Sequence, residues 1–198
     1  MKKEYGKLLR MLRKRNAGNA ERTDAAIKRR YQGQYAVMIT DSSHFTAKTK
    51  KYGIIHCLSL LVNNYDTLNA IIKRHSGIVV KEWADDIFAV FPDCDKALEC
   101  GIEMRETLKK ICSGNEADHF SICMGITFGE ILFLGDEIFG DPVNTASKLG
   151  EDIASGDEIL IDANVYERLR SDELRAKFTE PGTVELSDTS VTYYRFKG

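Results

Sequence analysis

Asp41 closes an apolar run at residues 35–40, and Asp85 sits between two more, 77–80 and 87–91. The first run reads as a buried strand, the other two as the arms of a tight hairpin. Neighbouring strands lie about 5 Å apart, so a carboxylate at a strand end and one on an adjacent hairpin turn can share metal ions. That is the arrangement two-metal phosphoryl chemistry requires. Either aspartate alone is equally an ordinary turn former; the pairing is what points to chemistry. Asp86, next in sequence, is expected to face the other side of its strand and to be structural.

A third group lies further on. In the segment 139–148, Asn144 and Lys148 stand four apart, on one helix face within a turn of its N-terminal end. An amide that can hold a sugar and a cation that can meet a phosphate therefore project together, at a helix end that favours anions. On its own such a pair is usually solvated surface.

These residues need a frame. A strand at 35–40 is followed by a helix at about 50–74, with Ile54, Leu58, Leu61, Tyr65, Leu68 and Ile72 on one face. The hairpin arms at 77–81 and 86–91 come next, then a helix at about 94–112 and strands at 120–127 and 130–134. This β-α-β-β-α-β order predicts an α+β sandwich with a ferredoxin-like core. Beyond the core the pattern predicts a helix from Pro142 to about Ile153, with proline suited to the first turn. A strand at 158–161, a short helix at 163–169 and a strand at 191–196 complete the additions.

Composition narrows the class. The chain has 198 residues, 43% hydrophobic and 29% charged, and no apolar run near the roughly 20 residues of a membrane span. A charged start without an apolar h-region, and five cysteines without a C-x-x-C pair, lead us to expect a soluble cytoplasmic protein with buried free thiols and no zinc site. Charge is lopsided: residues 1–34 carry eleven Lys/Arg against three Asp/Glu, and the rest carries 17 against 27. We expect residues 1–33 to form a basic helical arm ahead of one catalytic domain at 34–198. The apolar stripe of Leu8, Leu9, Met11 and Leu12 favours an arm packed on the acidic body of its own dimer. Nucleic-acid binding is disfavoured, because no aromatic residues interleave with the basic ones.

Taken together, the motifs resemble the catalytic domain of class III nucleotidyl cyclases over about residues 33–197. The family's metal motif matches Asp41, Phe45 and Thr46. Its Lys-x-x-Gly-Asp hairpin matches 81–85, with Ala84 in place of glycine. Its Gly-Asp-x-Val-Asn-x-Ala-x-Arg segment matches Gly140, Asp141, Val143, Asn144 and Ala146, with Lys148 in place of arginine. The resemblance implies two divalent cations, Mg²⁺ or Mn²⁺, held by Asp41, Asp85 and the backbone of Ser42. It implies a nucleoside triphosphate wrapped by the backbone of Ser43, His44, Phe45 and Thr46. Asn144 would orient the ribose and Lys148 would stabilise charge on the α-phosphoryl group. It further implies a homodimer whose sites are composite, with carboxylates from one protomer and the base-reading and Asn144/Lys148 groups from the other. Lysine at 148 keeps the charge but lacks the bidentate fork of arginine. Glu185 stands near where many members carry a phosphate-binding lysine. A silent nucleotide-binding or dimerisation module is therefore the alternative from another class.

Base choice follows from Lys81, Trp83 and Glu137, placed by the same resemblance. Lysine only donates hydrogen bonds and glutamate only accepts them, a pair that suits a ring nitrogen beside an amino group. Adenine and cytosine present that edge; guanine and uracil put a carbonyl where the amine should be. Trp83 stands where purine-using members carry a smaller aliphatic residue, and an indole there would crowd a second ring. The expectation is CTP over ATP, with UTP third. This resembles the pyrimidine cyclases of anti-phage Pycsar systems, whose cyclic nucleotide activates a separate sensing effector.

Overall fold

The computed structural model describes residues 3–111, 114–186 and 189–198. Cys112, one of the five cysteines and the last residue of the expected second core helix, lies outside the described residues. Among the described residues, eight strands form one mixed sheet in the order β2-β3-β1-β4-β6-β8-β7, with β5 paired to β4. The first four of these are the ferredoxin-like core: β1 (Gln32–Ser42), the hairpin β2 (Ile78–Trp83) and β3 (Asp86–Phe91), and β4 (Ile122–Phe133). β1 lies between β3 and β4 and pairs antiparallel with both.

The helices between these strands cover one face. α4 (Ile54–Arg74) and α5 (Cys94–Ile111) bury Leu61, Leu68, Ile72, Leu98 and Met104 against Met38, Ile87, Ala89 and Met124 of the sheet. The single long helix expected at 50–74 is two helices. α3 (Phe45–Tyr52) ends at Gly53, whose φ of 88° breaks the helical path before α4. The forward end of the expected apolar stripe is consequently exposed, with Ile54 at 48% and Leu58 at 44%.

The two strands expected at 120–127 and 130–134 are one. β4 runs unbroken through Phe128 and Gly129 because β1 pairs with it along its whole length, from Gln32↔Leu132 to Ser42↔Ile122. β5 (Ile138–Phe139) then folds back on the end of β4.

The opposite face of the sheet carries α6 (Asp141–Ser147), which continues into a π-helical turn, Lys148–Ile153. The expected helix from Pro142 to Ile153 is present with this change of winding. Backbone rests on backbone here. A Cβ built on Gly125 of β4 would come within 2.1 Å of the Ala146 carbonyl, and one on Gly150 within 2.9 Å of the Ile39 carbonyl. Thr127 Oγ1 donates to the Pro142 carbonyl at 2.7 Å and pins the start of α6 to β4.

The C-terminal additions are β6 (Ile159–Asp162), α7 (Ala163–Arg168), the short α8 (Asp172–Arg175), and the hairpin β7 (Gly182–Leu186) and β8 (Thr189–Arg195). β7, unexpected from sequence, stands at the sheet edge and, among the described residues, pairs with β8 alone. The basic arm is helical: α1 (Lys3–Lys14) and α2 (Ala20–Tyr31). Leu8, Ile27 and Tyr31 pack with Leu132 and Leu134, and Tyr5 stacks on Phe139 with ring centroids 6.0 Å apart. The Leu8 side of the arm is thus covered by its own chain, while Leu12 of the same stripe stays 44% exposed. The four described cysteines, Cys57, Cys94, Cys100 and Cys123, are free and buried. Among the described residues, no helix is long and apolar enough to cross a membrane.

Candidate active site

Side-chain alternation decides which residues share a face. In β1, Val37 and Ile39 point to the α6 side while Met38 points to the α4/α5 side. Asp41 therefore follows Val37 and Ile39 onto the α6 side. In β2 the ladder is interrupted: Val79 pairs with Ala89 but Lys81 pairs with Phe88, so one residue is extra. This bulge restores Lys81, and Trp83 after it, to the face that carries Asp41. Without it Glu82 would point there instead. Glu82 in fact turns to α4, where Asn69 Nδ2 donates to its carboxylate at 2.6 Å.

The hairpin turn consists of Ala84 and Asp85, between the paired residues Trp83 and Asp86. Ala84 takes a φ of 54°, in the left-handed region that such two-residue turns require. The Tyr65 hydroxyl donates to the Ala84 carbonyl at 2.8 Å and holds the turn against α4. On the β1 side, Thr40 Oγ1 accepts from the Ile87 amide at 3.2 Å. The tip of the hairpin is thereby fixed beside the end of β1.

The consequence is a group of three carboxylates, Asp41, Asp85 and Asp86, each offering an oxygen within 4.8 Å of the others. Asp86 corrects the sequence reading. Asp85 belongs to the turn, not the strand, so alternation does not separate the two. Asp86 opens β3 opposite Trp83, on the face that bears Asp41. Counting a two-residue turn at Ala84-Asp85 would have placed it there from sequence. Burial, then the neighbouring Asp85 and Glu151 charges, raise Asp41 to about 6. Burial, then Glu151, Asp85 and Asp41, raise Asp86 to about 7. Burial also raises Asp85. Opposing this, the Ser42 amide donates to the Asp41 carboxylate. Cys123, directly across the β1–β4 ladder, places its Sγ 3.8 Å from Asp41 Oδ2. A set of hard carboxylate oxygens fits Mg²⁺ or Mn²⁺ and not a soft metal.

The other expected site residues separate into two groups. Lys81 Nζ donates to Glu137 Oε2 at 2.8 Å and lies 4.9 Å from the centre of the Phe88 ring. Trp83 is 71% exposed. Asn144 is exposed on the second turn of α6, and Lys148 forms an ion pair with Asp152 one turn on. These stand on the carboxylate face or its border. Ser43 does not offer its hydroxyl there: its Oγ donates to the Gly156 carbonyl and its amide to Ser121 O at 3.0 Å. His44, left-handed at φ 64°, borders a cavity of about 450 Å³ with Lys48, Lys51, Tyr52 and His119. Phe45 and Thr46 form the first turn of α3, whose amides have no partners within the helix.

A ferredoxin-like sheet whose β1 end and β2–β3 turn bring carboxylates together has the architecture of the class III cyclase fold. The sequence profile described as the adenylate and guanylate cyclase catalytic domain matches residues 27–198, and the chain belongs to that family. An adenylate cyclase from Streptomyces coelicolor is 28% identical over 135 residues, 68% of this chain and 34% of that protein. The serine/threonine-protein kinase pkn2 of Myxococcus xanthus is 26% identical over 124 residues, 62% of this chain and 15% of the kinase. The chain thus spans about a third or less of these curated relatives. Among solved structures, the guanylyl cyclase Cya2 superposes with a TM-score of 0.73 at 18% identity, covering 84% of this chain and 93% of that one. This protein is a class III nucleotidyl cyclase domain.

Proposed function

We propose that the protein converts a nucleoside triphosphate into a 3′,5′-cyclic nucleotide and pyrophosphate, with CTP as its preferred substrate. The observation that carries the reaction is the meeting of Asp41 and Asp85 at the end of β1 and the β2–β3 turn. Bound there, Mg²⁺ or Mn²⁺ supplies charge neutralisation for the triphosphate and makes the ribose 3′-hydroxyl more acidic. Asp41, Asp85 and the Ser42 backbone would hold those ions. The first-turn amides of α3 would face the phosphates. Asn144 orients the ribose, and Lys148, released from Asp152, meets the charge that grows on the α-phosphoryl oxygens.

The guanylyl cyclase domain of the RhoGC fusion protein from Blastocladiella emersonii, a structural neighbour, is dimeric, and two features of one chain suit a composite site. Trp83 is largely exposed, and Asn144 stands on an open helix face. The carboxylates of one protomer would act on a nucleotide whose base and ribose are read by its partner.

Lys81 and Glu137 supply the donor and the acceptor for the base edge, which limits the base to cytosine or adenine. Trp83, on the same face two residues from Lys81, favours the smaller ring. The product would be cyclic CMP, a second messenger read by a separate effector in anti-phage signalling. The exposure of Trp83 favours a second reading, ATP to cyclic AMP, because within one chain nothing holds the indole over the base. Incubation of the purified protein with each of ATP, GTP, CTP and UTP and Mn²⁺, with products identified by mass, tests all of this. Absence of a cyclic product from every nucleotide would leave a silent nucleotide-binding module.

A further inference from the structure

We propose that Asp86 is a third metal-binding carboxylate, which lets the cyclase load a divalent cation before its nucleotide arrives. The inference rests on the metal-dependent reading above and concerns a residue that its two-carboxylate motif leaves out. Three placements carry it. Asp86 pairs with Trp83 at the mouth of the hairpin, so its side chain leaves β3 on the Asp41 face. Its carboxylate offers an oxygen within 4.8 Å of oxygens from both Asp41 and Asp85. No cation is paired with any of the three among the described ion pairs, whereas Glu137, Asp152 and Asp95 each have one. Three ionised carboxylates gathered this closely repel one another, and a bound divalent cation relieves that repulsion while leaving all three ionised.

The chemistry sets the class of ligand. Oxygen-only donors select a hard divalent cation, and affinity for such ions rises with the number of charged ligands. A site with two carboxylates leans on the triphosphate to complete it. A third carboxylate supplies one more charged ligand from the protein and reduces that dependence. Binding of metal and nucleotide would then be ordered, with the cation first.

The test is Mn²⁺ binding to the nucleotide-free, full-length protein, by calorimetry and by loss of the free-ion paramagnetic resonance signal. Wild type should bind. Asp86→Asn and Asp86→Ala should weaken that binding by about tenfold or more, the scale on which loss of a supporting group lowers metal affinity. Glu82→Gln, on the other face of the same hairpin, should bind as wild type does. Melting of each variant without metal checks the fold, and the isosteric Asp86→Asn should melt no lower than wild type. Equal affinity in wild type and Asp86→Asn, with binding lost in Asp85→Asn, would overturn the role of Asp86 alone. A wild type that binds no Mn²⁺ until nucleotide is added would overturn metal-first loading. Tight Mn²⁺ binding without turnover of any nucleoside triphosphate would instead count against the cyclase reading and leave the third ligand standing.

Discussion

Lys81 and Glu137 form an ion pair 2.8 Å long between two different hairpins of the sheet. Lys81 arrives through a bulge in β2, and Glu137 stands at the turn between β4 and β5, where its carbonyl accepts from the Leu134 amide at 2.9 Å. A donor and an acceptor are thus held side by side before any base is present, each satisfying the other. A base that offers a ring-nitrogen acceptor to Lys81 and an amino donor to Glu137 exchanges one set of bonds for another; uracil reverses both, turning an N–H to the lysine and a carbonyl to the carboxylate. Lys81→Met should therefore cost a charged hydrogen bond, about 1.5–3 kcal/mol, read as a roughly tenfold to hundredfold rise in KM for the favoured nucleotide. Unchanged KM in that variant would remove Lys81 from the base site.

Asp41→Asn and Asp85→Asn should each abolish cyclisation with the fold intact. Each removes one charge from a site that must neutralise a triphosphate, while the amide keeps the shape of the side chain. Both variants should melt, without metal, at or above the wild-type temperature, because the three carboxylates repel one another where they meet. Wild-type turnover in either variant would exclude the metal assignment.

The core was legible in the sequence because its strands alternate and its helices carry one apolar face. The order β1, α4, β2, β3, α5, β4 followed from those periods alone. What periodicity could not give was the point where a period restarts. Gly53 splits a helix whose apolar spacing continues across the break, and the bulge before Lys81 shifts β2 by one residue with no change in composition. Asp86 was misread for that reason: alternation was counted through a turn. β7 stayed hidden because an edge strand buries little and carries a weak apolar pattern. The nearness of Asp41 to Asp85 was legible because each adjoins an apolar run that pairs into the sheet, and Lys81 and Glu137, expected at one base edge, do lie side by side. The Ser43 hydroxyl points away from that face, into a contact with the Gly156 carbonyl that no local pattern announces.

Proton and metal should compete at the carboxylates. Asp41 is raised from 3.8 to about 6 and Asp86 from 3.8 to about 7, mainly by burial. A carboxyl whose folded value lies above its unfolded one holds its proton more tightly in the fold. Protonation then favours the folded state, and that stabilisation is lost as pH rises through about 6 to 7. Metal binding needs the ionised forms and gains over the same window. The metal-free melting temperature should fall between pH 5 and 8, and the increase in melting temperature produced by Mn²⁺ should grow. A Mn²⁺ effect that is flat across that range would contradict the assignment of these groups.

Composite sites make a prediction no single variant can. Asp85→Asn and Asn144→Ala should each be inactive, yet their mixture should recover partial activity. A heterodimer holds one site with both lesions and one with neither. If the protomers exchange and activity does not return, each chain must carry its own complete site.

On the proposed reading, Trp83 decides between the two bases that the Lys81–Glu137 edge would allow. It lies two residues from Lys81 on the same strand face and is 71% exposed in one chain, so its indole is free to lie along a base held at a dimer interface. Trp83→Ile should then raise the use of ATP relative to CTP, because the edge pattern is common to both bases and only the room for a second ring changes. The expected swing is about one to two orders of magnitude, from an overpacking penalty of about 1–3 kcal/mol. UTP should remain poor in the variant, because Glu137 would still face a carbonyl. Competition assays with equimolar ATP and CTP, with both products counted by mass, measure the ratio directly. An unchanged ratio would place Trp83 outside the base pocket, and a wild type that makes cyclic AMP while ignoring CTP would establish an adenylyl cyclase in which the indole serves the interface alone.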